Sequence, residues 1–407
     1  MRIERKDYLN KLIALSGKQI IKVITGVRRC GKSTLLEIFQ EYLQQRGIES
    51  DQIIAVNFED LDNYELRDPM KLHAYVKNLI YGNKQYWVFF DEIQHCTDFP
   101  RVVDSLALKK NIDLYITGSN AWMLSTEIAT MLSGRYVEIK MLPLSLREFA
   151  CGIDFTGNLS RLYRAYIEIS SFPHALSYKN QPSELRIYLD ALYSSIVIKD
   201  ISMRNNISDQ MLLKSIIGFI FDNVGNLVST KKIADTLNAN GRKVDVKTIE
   251  KYLHWLTESL LVYQVKRYNI RGRQFLKTLD KYYAVDMGMR SVVVSRHGMD
   301  VGHVLENIIY LELLRRDAEV YVGKIDDAEI DFVARVQDSL VYIQVAATVR
   351  DVATLERELA PFRRLSDHYP KYLFSLDDDL EADYDGIRRI YALDWLMGRT
   401  EPFMPRG

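Results

Sequence analysis

The stretch IIKVITGVRRCGKSTLL, residues 20–36, decides the fold. It predicts a β-branched strand, a tight loop from Gly26 to Gly31 and a helix that begins near Lys32. The loop fits G-x-x-x-x-G-K-[ST], in which glycines let successive backbone N–H groups face one anion, and the helix N-terminus adds partial positive charge. A chance match in an ordinary strand–turn–helix is the alternative, but both the motif and its context are present. We therefore predict a nucleotide-binding loop made of Gly26, Val27, Arg28, Arg29, Cys30, Gly31, Lys32, Ser33 and Thr34.

The polar side chains around this loop have definite expected tasks. Lys32 would reach the β- and γ-phosphates of ATP, and the Ser33 hydroxyl would ligate Mg²⁺. Further along, YWVFFDE at 86–92 predicts a buried strand that ends in two acids. Asp91 would hold Mg²⁺ directly or through water, and Glu92 would act as general base on the attacking water. A buried strand that ends in a solvated acidic turn is the alternative; the upstream loop favours the functional interpretation.

Three later positions are candidates for sensing or stabilising the γ-phosphate. The predicted strand over 113–117 is followed by Ser119 and Asn120, which would sense the phosphate; a strand-to-helix cap explains them equally well. Arg135 is a candidate arginine finger, in cis or from a neighbouring subunit, or else a surface arginine in a salt bridge. The alternation of strands and helices predicts a mostly parallel α/β sheet with helices on both faces and its ligand at the carboxyl edge.

Five motifs follow one another along the chain: ITGVRRCGKSTLL, WVFFDEIQ, ITGSN, LSGRY and PLSLREF. On these motifs the chain resembles the prokaryotic AAA-type P-loop ATPases that carry a C-terminal domain of unknown function with a restriction-endonuclease-like core. The resemblance covers nearly the whole chain and is most specific over 1–150, the expected ATPase core. It implies that the residues matching Lys32, Ser33, Asp91 and Glu92 bind and hydrolyse ATP.

The composition fits a multidomain protein. The 407 residues allow about three domains. Lys and Arg together number 54, as do Asp and Glu, so the overall charge predicts no polyanionic partner. The N-terminus has no apolar run after its charges, and no run approaches the roughly 18 apolar residues of a spanning helix, so we expect a cytoplasmic protein without a membrane partner. Three widely spaced cysteines predict neither a disulfide framework nor a zinc site.

The middle of the chain is predicted to be helical and then to change character. Residues 151–205 resemble the helical lid that follows the nucleotide core. Residues 206–290 predict a winged helix-turn-helix, with a recognition helix over 246–258 and a basic hairpin over 264–281. Contact with DNA or RNA phosphates suits the hairpin, whereas the recognition helix has acids and no arginine to read guanine. Docking of a protein is therefore equally open. The charged residues of the hairpin are Lys266, Arg267, Arg271, Arg273, Lys277 and Lys281 against Asp280.

The C-terminal region, residues 291–407, predicts helix, strand, strand, strand, helix, strand, the order of the PD-(D/E)XK nuclease core. By that match Glu306, Asp331 and Gln344 occupy the metal-facing positions. The position of the nuclease lysine is Ala346, whose methyl group neither orients water nor neutralises developing charge. We therefore expect a degenerate nuclease whose remaining acids either bind a metal or form hydrogen bonds inside a core.

Three functional hypotheses follow from the sequence. The leading one is an ATPase whose cycle moves a winged-helix and nuclease-like tail, with nucleic acid as the expected target. The second is an ATP-gated scaffold in which nucleotide sets the state of a homo-oligomer and the tail holds a protein partner. The third is a metal-dependent nuclease.

Overall fold

The structure, a computed structural model, describes residues 2–120, 134–276, 279–294, 300–336, 339–379 and 382–403. Two compact units make up the chain, one of residues 1–143 with 258–260 and one of residues 144–257 with 261–407. The helix predicted after Ala121 and the hairpin residue Lys277 lie outside the described residues. No helix within those residues combines the length and apolar character needed to cross a bilayer.

The first unit is built on a parallel sheet. Its strands are β1 (Ile21–Thr25), β2 (Ile53–Asn57), β3 (Tyr86–Asp91), β4 (Ile112–Gly118) and β5 (Tyr136–Lys140). Its helices are α1 (Lys6–Leu15), α2 (Lys32–Gln45), α3 (Pro69–Leu79) and α4 (Phe99–Ala107). The spatial order is β2-β3-β4-β1-β5 and all neighbours pair in parallel, which confirms the predicted α/β sheet. Because β4 lies between β1 and β3, the carboxyl ends of these three strands meet side by side.

A buried ion pair fastens the centre of this sheet. Lys22 on β1 and Asp113 on β4 are both fully enclosed and contact each other directly. The ammonium also donates to the carbonyl of Lys18 at 2.6 Å, and the carboxylate accepts from the Gly17 N–H and the Tyr115 hydroxyl, each at 2.8 Å. Each charge therefore has several polar partners, which such deep burial requires.

The second unit contains the remaining elements. Its helices are α5 (Leu146–Gly152), α6 (Leu159–Ile169), α7 (Pro182–Ser195) with a π-helical continuation over Ile196–Met203, α8 (Gln210–Asp222), α9 (Thr230–Ala239), α10 (Val246–Glu258), α11 (Met287–Val293), α12 (Val301–Arg315), α13 (Val352–Arg363) and α14 (Ala392–Leu396). Its strands are β6 (Leu227–Val228), β7 (Val262–Val265), β8 (Arg267–Asn269), β9 (Gln274–Phe275), β10 (Asp280–Ala284), β11 (Glu319–Ile325), β12 (Ala328–Val336), β13 (Ser339–Val345), β14 (Lys371–Ser375), β15 (Asp383–Tyr384) and β16 (Ile387–Tyr391).

Two sheets organise these strands. A small antiparallel sheet has the order β6-β10-β7, and an eight-stranded mixed sheet has the order β15-β16-β14-β13-β12-β11-β8-β9. The predicted C-terminal succession of helix, three strands, helix and strand is present as α12, β11, β12, β13, α13 and β14.

The basic hairpin differs from the prediction. Strands β8 and β9 in the middle of the hairpin belong to the large sheet, where β8 pairs in parallel with β11, whereas β7 and β10 at its base pair with each other in the small sheet. Arg267 and Lys281 are buried, and Lys281 is paired with carboxylates. These two basic side chains are therefore not available to phosphates, and contact of the hairpin with nucleic acid stays a prediction for the others. Lys266, Arg271 and Arg273 are exposed, although Arg271 pairs with Asp326 at 2.7 Å.

Replacing Lys22 by methionine tests the ion pair inside the first sheet. Lys22→Met leaves the Asp113 carboxylate buried without its cation, and we expect a loss of about 3–5 kcal/mol in the free energy of unfolding of this unit, measured by urea denaturation. The double change Lys22→Met with Asp113→Asn should recover part of that loss. Lys18→Met, at an exposed neighbouring lysine, is the matched control. Equal stability of the single variant and the control would contradict the role of the pair.

Candidate functional site

The loop between β1 and α2 has the backbone geometry that its glycines predict. A Cβ at Gly26 would lie 2.3 Å from the Met141 carbonyl oxygen and 2.7 Å from the Cys30 sulfur, so only glycine fits. Gly31 has a φ of 108°, and Arg29 also adopts a left-handed conformation, with φ of 64°. Helix α2 begins at Lys32, directly after this turn, which leaves its first N–H groups directed toward the loop.

The other loop side chains divide into buried and outward ones. Val27 and Cys30 are fully buried, and the Cys30 N–H donates to the Val27 carbonyl at 3.2 Å. Arg28 reaches outward to an ion pair of 2.8 Å with Glu59. Arg5, a residue that the sequence analysis missed, is buried behind the loop and donates to the Cys30 carbonyl at 3.0 Å and to the Leu142 carbonyl at 2.7 Å. It ties the loop to the segment that follows β5.

Lys32, Ser119 and Glu92 meet at the carboxyl edge of the sheet. The Lys32 ammonium donates to the Gly26 carbonyl and to the Ser119 hydroxyl, each at 3.0 Å, and lies 3.3 Å from Glu92 Oε1. Ser119 donates to Glu92 Oε1 at 2.5 Å. Since Ser119 follows β4, the middle strand of the three, it bridges the lysine after β1 and the acid after β3.

This contact sets the charge of both ionisable groups. Burial, the largest influence, would raise the pKa of Glu92, but the Lys32 ammonium and hydrogen bonds from Ser119 and Gln94 outweigh it and lower the pKa to about 2. Burial would lower the pKa of Lys32, and the charge of Glu92 overcomes that and raises it. Both groups are therefore ionised at neutral pH, as a general base and a phosphate-binding cation require.

Thr117 holds the two acids in place. Its hydroxyl donates to Asp91 Oδ1 at 2.6 Å and accepts from the backbone N–H of Glu92 at 2.9 Å. Glu92 has a φ of 55°, a conformation that costs a non-glycine residue about 1–3 kcal/mol and that this hydrogen bond helps to maintain. Burial raises the pKa of Asp91, opposed by hydrogen bonds from Ser33 and Thr117. Ser33 and Asp91 are thus in contact, as the prediction of a shared Mg²⁺ requires.

Two buried amide oxygens have no hydrogen-bond partner among the described residues. They belong to Asn120, which follows Ser119, and to Gln94, whose amide nitrogen donates to Glu92 at 2.5 Å. A buried acceptor without a donor costs about 1–3 kcal/mol unless a ligand or water supplies one. The orphan oxygens, the Gly26 cradle and the Ser33–Asp91 contact all fit a nucleotide with Mg²⁺.

Arg135 lies elsewhere. Its carbonyl accepts from the N–H of Ile21, the first residue of β1, so it stands at the amino edge of the sheet and is exposed. Strand β1 is five residues long, which separates the two edges by about 15 Å. The predicted cis role for Arg135 is therefore wrong, and a role at a neighbouring subunit stays a prediction.

The second predicted constellation also comes together, in the second unit. Glu306 Oε1 and Asp331 Oδ1 lie 2.8 and 3.3 Å from the ammonium of Lys281. Gln344 accepts from the Asp331 N–H at 2.8 Å and donates to Glu358 at 3.0 Å, so its amide is used inside the protein.

Comparison with known proteins gives two family matches, two relatives and solved structures of similar fold. Residues 18–150 match the AAA domain family AAA_14, and residues 160–300 match a domain of unknown function, DUF8612. An uncharacterized protein of Haemophilus influenzae is 40% identical over 399 residues, which are 97% of this chain and 98% of that protein. An uncharacterized protein of Methanocaldococcus jannaschii is 30% identical over 337 residues, 77% of this chain and 71% of that protein. The solved structure of a Walker-type ATPase of Pyrococcus abyssi has the same fold, with a TM-score of 0.52, 16% identity, and coverage of 72% of this chain and 95% of that one.

Thr117→Val tests the positioning of the acids. Valine keeps the shape of the side chain but removes both hydrogen bonds, so Glu92 is less well placed. We expect kcat for ATP hydrolysis to fall about 10²-fold, while the affinity for ATP changes little. Tyr115→Phe, which removes another buried hydroxyl from the same strand, is the control and should keep the wild-type rate. Wild-type turnover in a folded Thr117→Val protein would contradict the assignment.

Proposed function

This chain belongs to the family of AAA-domain P-loop proteins that includes the Haemophilus influenzae relative, and we propose that it hydrolyses ATP at the loop over residues 26–34. The observation that carries the proposal is the contact of Lys32, Ser119 and Glu92 at the ends of three adjacent strands. In one place it unites a cation for the β- and γ-phosphates, a hydroxyl able to sense the γ-phosphate and an ionised general base.

Without nucleotide, the Lys32 ammonium and the Glu92 carboxylate neutralise each other. Lys32 forms an ion pair with Glu92, and the Ser119 hydroxyl donates to the same carboxylate. A triphosphate brings more negative charge than one carboxylate, so Lys32 turns to the phosphates and releases Glu92 to accept a proton from water. Asn120, whose buried oxygen has no partner in the described part of the chain, then supplies a further polar contact near the γ-phosphate.

Mg²⁺ fits the same arrangement, held by the Ser33 hydroxyl and by Asp91. When bound, it would neutralise charge on the phosphates. The protein itself orients the two acids: the Thr117 hydroxyl donates to Asp91, and the Gln94 amide donates to Glu92.

An oligomeric role for Arg135 is part of the proposal. The guanidinium is exposed at the edge opposite its own loop, so it is available to a second copy of the chain and not to its own nucleotide. A homo-oligomer in which Arg135 acts as the finger of a neighbouring site accounts for that position.

The rest of the chain is proposed to be moved by the ATP cycle. The order α8, β6, α9, α10, β7, β10 and the sheet order β6-β10-β7 support a winged helix. The order of elements from α12 to β14 supports a nuclease-like core. We retain the division into a core (1–150), a helical lid (151–205), a winged helix (206–290) and a nuclease-like domain (291–407). Exposed Lys266, Arg271 and Arg273 carry the proposed contact with DNA or RNA.

Glu92→Gln and Lys32→Ala test the ATPase. Glu92→Gln removes the base and also releases Lys32 from its internal partner, so we expect ATP to bind at least as tightly as in the wild type while kcat falls about 10²–10⁴-fold. Lys32→Ala should lose ATP binding. Binding is measured by calorimetry and turnover by phosphate release. Glu37→Gln, the same substitution at an exposed position on α2, should behave as the wild type. A Glu92→Gln protein that hydrolyses at the wild-type rate would sink the proposed base.

The nucleic-acid contact is tested separately. We expect DNA or RNA to raise the ATPase rate, and the logarithm of the binding constant to fall linearly with the logarithm of salt concentration. Charge reversal at Lys266 and Arg273 together should reduce that slope by about 0.9 per lost phosphate contact. Lys77→Glu, on α3 of the first unit, is the control. If no binding occurs even at low salt, the tail serves a protein partner, as in the scaffold hypothesis.

A further inference from the structure

Four charged side chains converge inside the second unit. Lys281, on β10 of the three-stranded sheet, places its ammonium 2.8 Å from Glu306 Oε1, 2.7 Å from Glu329 Oε1 and 3.3 Å from Asp331 Oδ1. Lys281 and Glu306 are each only 3% exposed. Three carboxylates from α12 and β12 therefore surround one cation that comes from a different sheet.

Neighbouring contacts fix β10 against α12 in one register. The Tyr283 hydroxyl donates to Glu306 Oε1 at 2.5 Å. The buried amide of Asn307 makes both of its hydrogen bonds to the backbone of Ala284, at 2.7 and 2.9 Å. The Tyr283 ring stacks on Tyr310 with centroids 4.4 Å apart. Lys281 thus lies on a strand whose position beside the acids is set by several independent contacts.

These residues do not fit a divalent metal. An ammonium already contacts the three carboxylates on which a metal would depend. With Lys281 in its observed position, no group of three or more His, Cys, Asp or Glu side chains within the described residues is arranged to hold a metal ion. The amide of Gln344, the remaining potential ligand, is already hydrogen-bonded: it accepts from the Asp331 N–H and donates to Glu358.

The electrostatics of the cluster keep Lys281 charged. Burial would lower the pKa of Lys281, but the charges of Glu306, Asp331 and Glu329 outweigh it and raise the pKa. Burial raises the pKa of Glu306 to about 7 although the lysine opposes it. Removal of the Lys281 ammonium would leave the buried carboxylates without this compensating charge, which is strongly unfavourable.

We propose that Lys281 is the resident cation of this acidic site, that it takes the place of a divalent metal, and that it fastens the three-stranded sheet to the C-terminal sheet. On this proposal the constellation of Glu306, Glu329 and Asp331 is a structural clamp that excludes metal. This exclusion of metal does not depend on whether the loop over 26–34 hydrolyses ATP.

The test is Mn²⁺ binding to the nucleotide-free full chain, followed by electron paramagnetic resonance. The wild type and Asp331→Asn should give the same titration, because neither offers a metal site here. Lys281→Met should gain one bound Mn²⁺ per chain, and Asp331→Asn added to it should abolish that gain. In thermal unfolding, Lys281→Met should melt several degrees lower than the wild type in chelator and regain part of the loss in Mn²⁺. Lys214→Met, at an exposed lysine on α8, should do neither.

Two outcomes would overturn the proposal. One is Mn²⁺ binding in the wild type that Asp331→Asn removes, since a metal would then share or displace the lysine. The other is a folded Lys281→Met protein that gains no Mn²⁺ site. If Lys281→Met gives no folded protein, the comparison of wild type with Asp331→Asn decides: equal titrations support the proposal and unequal ones refute it.

Discussion

The buried contact between Lys32 and Glu92 depends on one constraint, the position of β4 between β1 and β3. That order sets the lysine after β1 and the acid after β3 on either side of Ser119, which then accepts from one and donates to the other. An ammonium and a carboxylate buried this deeply are stable only because each satisfies the other. Under the proposed function, the phosphate-binding cation and the general base are therefore formed together, and a ligand that takes Lys32 also releases Glu92.

Much of this site is predictable from sequence because its signals are local. The loop, Glu92 and Ser119 each directly follow an apolar strand and Asp91 ends one, and parallel strands gather such positions at one edge. Thr117 and Arg5 carry no such signal. Thr117 matters because of a strand neighbour more than twenty residues away, and Arg5 because the chain returns near Cys30 and Leu142. Arg135 is predicted near the nucleotide, but it precedes β5 and therefore lies at the amino edge of the sheet, opposite the loop.

The second unit shows why charge counts along the chain mislead. The hairpin over 264–281 is basic in sequence, yet strand pairing buries Arg267, and three carboxylates from later elements enclose Lys281. Helix and strand order from α12 to β14 could be predicted from the sequence pattern, whereas the convergence of Glu306 with Asp331 is implied by the resemblance to the nuclease core. The identity of their cation could not be predicted, because it comes from another sheet.

Lys32 and Lys281 are both buried ammonium groups that depend on carboxylate partners, but their surroundings differ. Lys32 has one carboxylate and two neutral oxygens as partners, beside a glycine cradle and unpartnered acceptors, so an incoming polyphosphate can compete for it. Lys281 is enclosed by three carboxylates, and an anion would have to displace all of them. The surroundings of the two ammonium groups thus differ: under the proposed function Lys32 is an exchangeable contact, and under the proposal above Lys281 is a fixed joint between two sheets of the second unit.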